Sequence, residues 1–170
     1  ASDVYKRQPN IQGGVETHCE KLYPRLSKLG VNVTVVRRSC FVKENPPLTS
    51  YQGVFFKDLP APKIKGFESA IHTICGVWYA YKQKADIVHI HAIGPSIAIP
   101  FAKLLGLKVV VTHHGPDYDR KNWNFFAKFI LKTGEFFAAK WADEIIVIST
   151  VIDNILCLLY TSDAADDMQC

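Results

Sequence analysis

The 170-residue sequence predicts an α/β protein with a doubly wound, mostly parallel sheet. Three observations predict it. Stretches with helical apolar spacing alternate with short β-branched runs, and a glycine closes the first of the helical stretches. The runs Ile87–His91 and Lys108–His113 are apolar enough to be buried parallel strands, with a helical segment between them.

Each element follows from local pattern. From Gly14 to Leu29 the residues Val15, Cys19, Leu22, Leu26 and Leu29 keep helical spacing, with Gly30 as the stop; Pro24 is expected to kink this helix. Val31–Val36 is β-branched and reads as a strand. Asn45-Pro46-Pro47 breaks the chain, Gly53–Leu59 reads as a short strand, and Pro60–Gly66 as a loop. A helix from about Phe67 to Lys82 places Phe67, Ile71, Ile74, Trp78 and Tyr81 on one face, read as its core side. The strand Ile87–His91, a helix near Ser96–Leu105 and the strand Lys108–His113 come next. A long helix, about Trp123–Trp141, carries Trp123, Ile130, Gly134, Phe137 and Trp141 as its core stripe, before a last strand at Glu144–Ser149.

The length suits one domain with a proper core and is too short for two full α/β domains. Apolar residues make up 48% of the chain but fall in short clusters between charges, as a water-soluble globular domain requires, which makes disorder a poor reading. The longest apolar stretch, Ala92–Ala102, contains two prolines and falls short of the roughly 20 residues that cross a bilayer.

The two ends are related at the level of DNA. Written as GCG TCA GAT GTG TAT AAG AGA CAG, the codons for Ala1–Gln8 have a reverse complement that, read one base in, encodes Cys157–Ala164. This DNA resembles the end sequence of a transposon-type sequencing adapter. Residues 1–8 and 157–170 are therefore expected to be adapter-derived and non-biological, leaving 9–156 as an incomplete domain. Removing Lys6 and Arg7 leaves 18 basic residues, and removing Asp3, Asp163, Asp166 and Asp167 leaves 12 acidic ones, so the remainder carries +6 rather than +4. That charge suits a sugar-phosphate, a lipid headgroup or nucleic acid, or simply a solvated basic face. Cys19, Cys40 and Cys75 lack metal-ligand spacing and read as reduced thiols of a cytoplasmic protein.

In an open parallel sheet, ligands meet the carboxyl ends of the strands. Three places qualify as candidates. At Gln12-Gly13-Gly14-Val15-Glu16-Thr17, paired glycines let backbone N–H groups approach a phosphate at a helix start, or make an ordinary turn. In His89-Ile90-His91, period two sends both imidazoles to one side; His89 reads as a satisfied hydrogen-bond partner and His91 as nearer the rim. In Thr112-His113-His114-Gly115-Pro116-Asp117, a histidine pair meets a glycine turn and a carboxylate. Adjacent histidines on an extended strand point to opposite faces, so no shared metal is expected.

These residues carry a resemblance. Pro9-Asn10, Gly13–Thr17, Leu22–Leu26, Val33–Val36, Asp86–His91, Gly94-Pro95, Val109–Thr112, His114-Gly115, Asp117, Gly134-Glu135, Ala142-Asp143 and Ile146–Ser149 resemble, in that order, the N-terminal half of family 4 glycosyltransferases of the rhamnosyl- and mannosyltransferase-like kind. The resemblance covers 9–150. It implies a Rossmann-like domain of a two-domain bacterial enzyme for polysaccharide biosynthesis, with the acceptor held mainly by this half and the nucleotide-sugar donor mainly by a C-terminal half. It further implies that Gly13 and Gly14 lie against the donor diphosphate with Glu16 nearby, that His114 reaches the transferred sugar, and that His91, His113, Gly115 and Asp117 shape the pocket for a saccharide or lipid-linked acceptor. Transfer in the family retains configuration without a metal or other cofactor.

Two departures stand out. His113 replaces a small apolar residue, which leaves open which histidine faces the pocket. The first strand expected before Pro9 is missing or replaced by the adapter-coded residues, so the isolated domain is expected to be poorly stable and inactive alone.

A further feature is independent of the resemblance. On the helix from Trp123, Phe125, Phe129 and Phe136 form a stripe away from the core side, with Lys121, Lys128 and Lys132 alongside. Such a stripe suits an anionic membrane surface at the inner face, or burial against a neighbouring helix or domain. A non-catalytic saccharide- or membrane-surface-binding module is the alternative to an enzyme half. A dinucleotide-dependent oxidoreductase is disfavoured because G-x-G-x-x-G is absent, and dispersed basic residues give no support for nucleic acid.

Overall fold

The computed structural model describes residues 14–42, 46–61, 68–115 and 125–160. Along them run helix α1 (Gly14–Lys28), strands β1 (Val33–Arg38), β2 (Ser50–Tyr51) and β3 (Val54–Leu59), helix α2 (Glu68–Lys82), β4 (Ile87–His91), α3 (Ile99–Leu104), β5 (Lys108–His113), α4 (Phe125–Trp141), β6 (Glu144–Val147) and α5 (Thr150–Tyr160). Short 3-10 turns lie at Ser39–Phe41 and Pro95–Ala98. The expected alternation is present, and the chain is an α/β Rossmann-like fold.

Helix α1 is built as its sequence dictates, with Glu16 in the first turn and Arg25 and Lys28 in the last, each complementing the helix dipole. Pro24 lies inside the helix without ending it. The helix stops where Gly30 adopts φ 87° and the Val31 amide reaches back to the Leu26 carbonyl at 3.1 Å. Helix α3 stops in the same way, with Gly106 at φ 75° and the Leu107 amide on the Ala102 carbonyl. Both glycines supply the left-handed residue that closes a helix and returns the chain to the sheet.

Among the described residues hydrogen bonding divides the strands into two groups of three, β1-β3-β2 and β4-β5-β6. β1 and β3 are parallel, as are β4, β5 and β6, while the two-residue β2 runs antiparallel to β3. Among the described residues no strand pairs with the remaining edge of β1 or of β4. The expectation about residues 1–8 lies outside the described residues. Helix α5 continues through Cys157 to Tyr160, into the stretch that the DNA relation sets apart.

Alternation along β4 and β5 sorts two layers. Val88, Ile90, Val109 and Val111 face one way, packing with Val77 and Ala80 of α2, Ile99 and Ala102 of α3 and Ala138 of α4. On the other side Cys19 and Tyr23 of α1 pack with Val33, Val35 and Val54. Helices thus cover both faces of a parallel sheet. The first group is anchored beside β5 by Asp143, which accepts from the Val109 amide at 2.7 Å and pairs with Lys103 at 2.8 Å. The lysine's hydrogen bond, then that of the amide, hold the Asp143 carboxyl below its ordinary range. In the other group Arg37, buried, grips Asp58 through Nε and Nη2 at 2.7 and 2.9 Å and donates to the Leu48 carbonyl.

Two expectations about helix faces need correction. On α2 the buried positions are His72, Thr73, Gly76, Val77 and Ala80, whereas Ile74, Trp78 and Tyr81 are exposed. The helix is apolar on more than one side, so periodicity alone picks the bulkier stripe, while close packing over the sheet selects the smaller one. Trp78 instead stacks against Phe101 and lies under the Lys82 ammonium. On α4 the buried line is Leu131, Gly134, Glu135 and Ala138; Gly134 belongs to the expected stripe, but Ile130 and Phe137 are half-buried, Trp141 is exposed, and Trp123 lies outside the described residues. A Cβ at Gly134 would collide with the Ile93 carbonyl oxygen, which explains a glycine inside this helix.

Candidate functional site

The carboxyl ends of β4 and β5 meet the middle of α1, and side chains from α1, β4 and the residues at the end of β5 form a histidine cluster. Register fixes the sheet side of it: His89 and His91 stand two residues apart on β4, and His91 pairs with Thr112 across the β4–β5 ladder. The two imidazoles share one face, with ring centroids 4.1 Å apart. His114 comes onto that same face one residue beyond β5, its Nε2 3.1 Å from His91 Nδ1. From α1, the His18 ring meets His91 and His114 edge-on at 5.7 and 5.3 Å.

Tyr23 links the strand histidines. Its Oη lies 2.6 Å from His91 Nε2 and 3.3 Å from His89 Nδ1, while His89 Nε2 lies 2.7 Å from Thr112 Oγ1. These contacts form one line: Thr112, His89, Tyr23, His91, His114. Each hydroxyl can donate and accept, and each neutral imidazole carries one donor and one acceptor. The line therefore closes when every member donates to the next, in one sense or the reverse, so that fixing one tautomer fixes them all. Cys19 adds a weak contact, with Sγ 3.8 Å from both ring nitrogens of His91.

Burial disfavours the charged form of the two β4 rings. His91 is only 2% exposed, and desolvation, followed by the neighbouring His89, His114 and His18, lowers its pKa from 6.5 to about 2. Desolvation, with His18 and His114 adding to it, takes His89 to about 4. Neutral imidazoles in contact exchange hydrogen bonds where protonated ones would repel. His91 is thus the more enclosed of the pair, contrary to the expectation that it lies nearer the rim, because α1 brings Tyr23 and Cys19 down upon it. His89 is the hydrogen-bonded partner that was expected. Buried Nε2 of His18 finds no hydrogen-bond partner among the described residues.

His113 faces the other way. Its ring is 1% exposed, Nδ1 accepts from the Gly115 amide at 3.1 Å, and Nε2 lies 2.9 Å from Glu135 Oε1 on α4. An amide can only donate, so Nδ1 is the acceptor and Nε2–H donates to Glu135. This settles which histidine shares the cluster: His114 does and His113 does not. Gly115, at φ 131°, occupies a conformation that favours glycine, and the His113 ring holds its amide there. Ala92, just after His91, has φ 70°, a position uncommon for a residue with a side chain, and its amide donates to the Thr112 carbonyl.

The other candidates are distributed around this centre. Gly14 opens α1 and is exposed, with open space where a Cβ would stand; Glu16 is half-buried in the first turn. Gly13 and Asp117 lie outside the described residues. Among the described residues no group of three or more His, Cys, Asp or Glu side chains is disposed to hold a metal. The sequence reading passed over His18 and gave no role of their own to Tyr23, Thr112 and Glu135, although these three stand within motifs it singled out. A signal existed for Glu135, the lone acid of a helix with three lysines, set beside the buried Gly134. Tyr23 gave none, since an aromatic on an apolar helix face reads as core.

A family model described as Glycosyltransferase Family 4 matches residues 12–166. A search of curated proteins finds no match.

Proposed function

This chain belongs to glycosyltransferase family 4, and from that premise we propose that it forms the acceptor-side half of a retaining enzyme that moves a sugar from a nucleotide-sugar donor to a saccharide or lipid-linked acceptor. The observation that supports this reading is the contact of His91 with His114 at the strand ends, beside the helix that opens at Gly14. Gly14 and Glu16 stand in the first turn of α1, where the amides of a helix start and the helix dipole favour a diphosphate, and Gly13 precedes them in the sequence. His114 reaches the sugar being transferred, held at a fixed tautomer by His91 and, through it, Tyr23. His91, Gly115 and Asp117 shape the acceptor pocket. His113 acts through the turn that it braces, because a ring 1% exposed does not itself touch an acceptor. No metal or other cofactor takes part; fixed dipoles and positive groups stabilise the leaving diphosphate.

One α/β unit holds one side of such a reaction. We infer that the chain alone binds acceptor but does not transfer sugar, and that it works at the cytoplasmic face of a membrane when the acceptor is lipid-linked. No described helix is long and apolar enough to cross a membrane. Saturation-transfer NMR of the 170-residue chain with a panel of saccharides tests the reading: acceptor signals should appear for the wild type and fade for His114→Ala, and no nucleotide-sugar should be consumed. Binding that survives His114→Ala, or sugar transfer by the chain alone, would overturn this assignment. Joining the chain to the donor-binding half of another family member separates the remaining alternative. Saccharide binding without any transfer by such a fusion would identify a non-catalytic binding module.

A further inference from the structure

Helix α1 sorts its charges instead of pairing them. Gly14, His18, Lys21, Arg25 and Lys28 follow one another at intervals of four, three, four and three residues, which at about 100° per residue puts them on one line. Glu16 and Glu20 stand on a separate line, so no acid of the helix is interleaved with the cations. Lys21, Arg25 and Lys28 are exposed, and among the described residues none of them pairs with a carboxylate. Positions three and four apart are neighbours on a helix, so Lys21 and Arg25 repel one another, as do Arg25 and Lys28. The helix dipole accounts for Arg25 and Lys28, which stand in the last turn, but not for Lys21 in the middle. The line opens at the histidine cluster. His18 is its first side chain, and the ring of His18 meets His91 and His114.

We propose that this line binds the carboxylates of an acidic saccharide, which leaves the histidine cluster over His18 and runs along α1. The assignment rests on acceptor binding by this chain, and it names the class of acceptor: a chain of sugars that carry acid groups. From His18 to Lys28 the line extends about 15 Å, with one cation per helical turn of about 5 Å. A pyranose ring advances its chain by a similar length, so successive acidic sugars meet successive cations. The Arg25 guanidinium offers paired N–H donors to a carboxylate, while Lys21 and Lys28 act as point charges. Charge complementarity and the lack of exposed rings select the occupant. Tyr23, the one tyrosine of α1, is buried, and the helix has no phenylalanine or tryptophan to enter a lipid boundary or to stack on bases. The expected stripe of Phe125, Phe129 and Phe136 is exposed on α4 and forms no part of this line, and Lys121, expected beside it, lies outside the described residues.

Calorimetric titration of the 170-residue chain with tetrasaccharides of galacturonate and of glucuronate, each beside its uncharged methyl ester, tests the proposal. The wild type should bind at least one of the acids about 10-fold more tightly than its ester, and added salt should erase the difference. Lys21→Gln/Arg25→Gln should weaken the acid about 5-fold and leave the ester unchanged. The variant removes a repulsion at exposed positions, so its circular dichroism and melting should hold. Lys82→Gln/Lys84→Gln takes the same charge from the end of α2 and should change neither affinity. Equal affinity for acid and ester, equal losses in the two double variants, or no binding of any of the four ligands would overturn the proposal. Acid and ester bound alike, with both lost in His114→Ala, would overturn it while the acceptor reading stands. Acid binding that needs Lys21 and Arg25 but survives His114→Ala would uphold the line and overturn the acceptor reading. Binding of an oligonucleotide or of phosphatidylglycerol vesicles that is lost in Lys21→Gln/Arg25→Gln, with no preference for acid over ester, would overturn the proposal in favour of nucleic acid or a lipid surface.

Discussion

Tyr23 Oη and His91 Nε2 meet at 2.6 Å, joining the middle of α1 to the end of β4. This contact is the hinge of the histidine line, because it connects the pair His89–Thr112 to the pair His91–His114. Without it the two pairs choose their tautomers separately. Tyr23→Phe should lower stability by about 1 kcal/mol, the ordinary net worth of a hydrogen bond, with some addition for the His91 nitrogen left buried. The more specific consequence is tautomeric: ring nitrogen spectra of His91 and His114 should show one form in the wild type and a mixture in the variant. Unchanged ring spectra would remove Tyr23 from any positioning part.

Neutral burial of His89 and His91 makes stability depend on pH. Both have folded pKa values below the ordinary 6.5, so below that pH the unfolded chain binds protons that the folded chain refuses. Stability is then complete above about pH 6.5 and falls as pH drops through the window toward 4 for His89 and 2 for His91. Ordinary carboxylates remain ionised through the upper part of this window, so the two histidines dominate between about pH 6.5 and 5. Roughly 3 kcal/mol should be lost across it, about half from each histidine. Urea midpoints followed by circular dichroism at each pH measure the loss, and His91→Gln should remove about half of the slope. A midpoint that does not move between these values would show that the rings charge freely.

Glu135 braces the site from the opposite side of the sheet. Its carboxylate accepts from His113, whose other nitrogen holds the Gly115 amide beyond β5. Glu135→Ala leaves a buried His113 N–H without its acceptor, which costs about 1–3 kcal/mol. Glu135→Gln keeps an acceptor oxygen and should recover most of it. If the brace also places His114, amide exchange at Gly115 should quicken in Glu135→Ala and return toward the wild-type rate in Glu135→Gln. Equal loss in both variants would point to the charge rather than to the hydrogen bond.

Much of this arrangement was legible in the sequence, and the limits have physical causes. Strands β4 and β5 are short apolar runs bounded by polar junctions, so their burial was readable, and period two alone put His89 and His91 on one side. His91's enclosure depends on α1 crossing the strand end, which no local pattern encodes. The inner face of α2 was misread because Ile74, Trp78 and Tyr81 are as periodic as Thr73, Val77 and Ala80, and only packing distance distinguishes them. β2, with two residues, is too short for any alternation. The orientation of His113 was open until α4 supplied a carboxylate for it, since two adjacent histidines are equivalent until one finds a partner.

The two groups of strands set the last expectation. Among the described residues β1 pairs only with β3 on one side, and β4 only with β5, although Val35, Val36, Val88 and Ile90 are each at most 3% exposed. Strands buried this deeply ordinarily have both main-chain edges satisfied, because an amide removed from water without a partner costs as much as a lost hydrogen bond. Among the described residues, side chains of α1 and α2 join the two groups, with Tyr23 and Cys19 reaching from the β1–β3 layer to His91 and Lys57 of β3 lying over the Tyr79 ring of α2. If no other main chain pairs along these edges, such a seam should open before either half. The 170-residue chain is therefore expected to unfold below about 45 °C, the lower edge for mesophilic domains. Amide exchange should be faster along β1 and the open edge of β4 than in the middle of β5, which is paired on both sides. A single cooperative transition well above that temperature, with β4 and β5 equally protected, would show that the seam is closed by main-chain pairing after all.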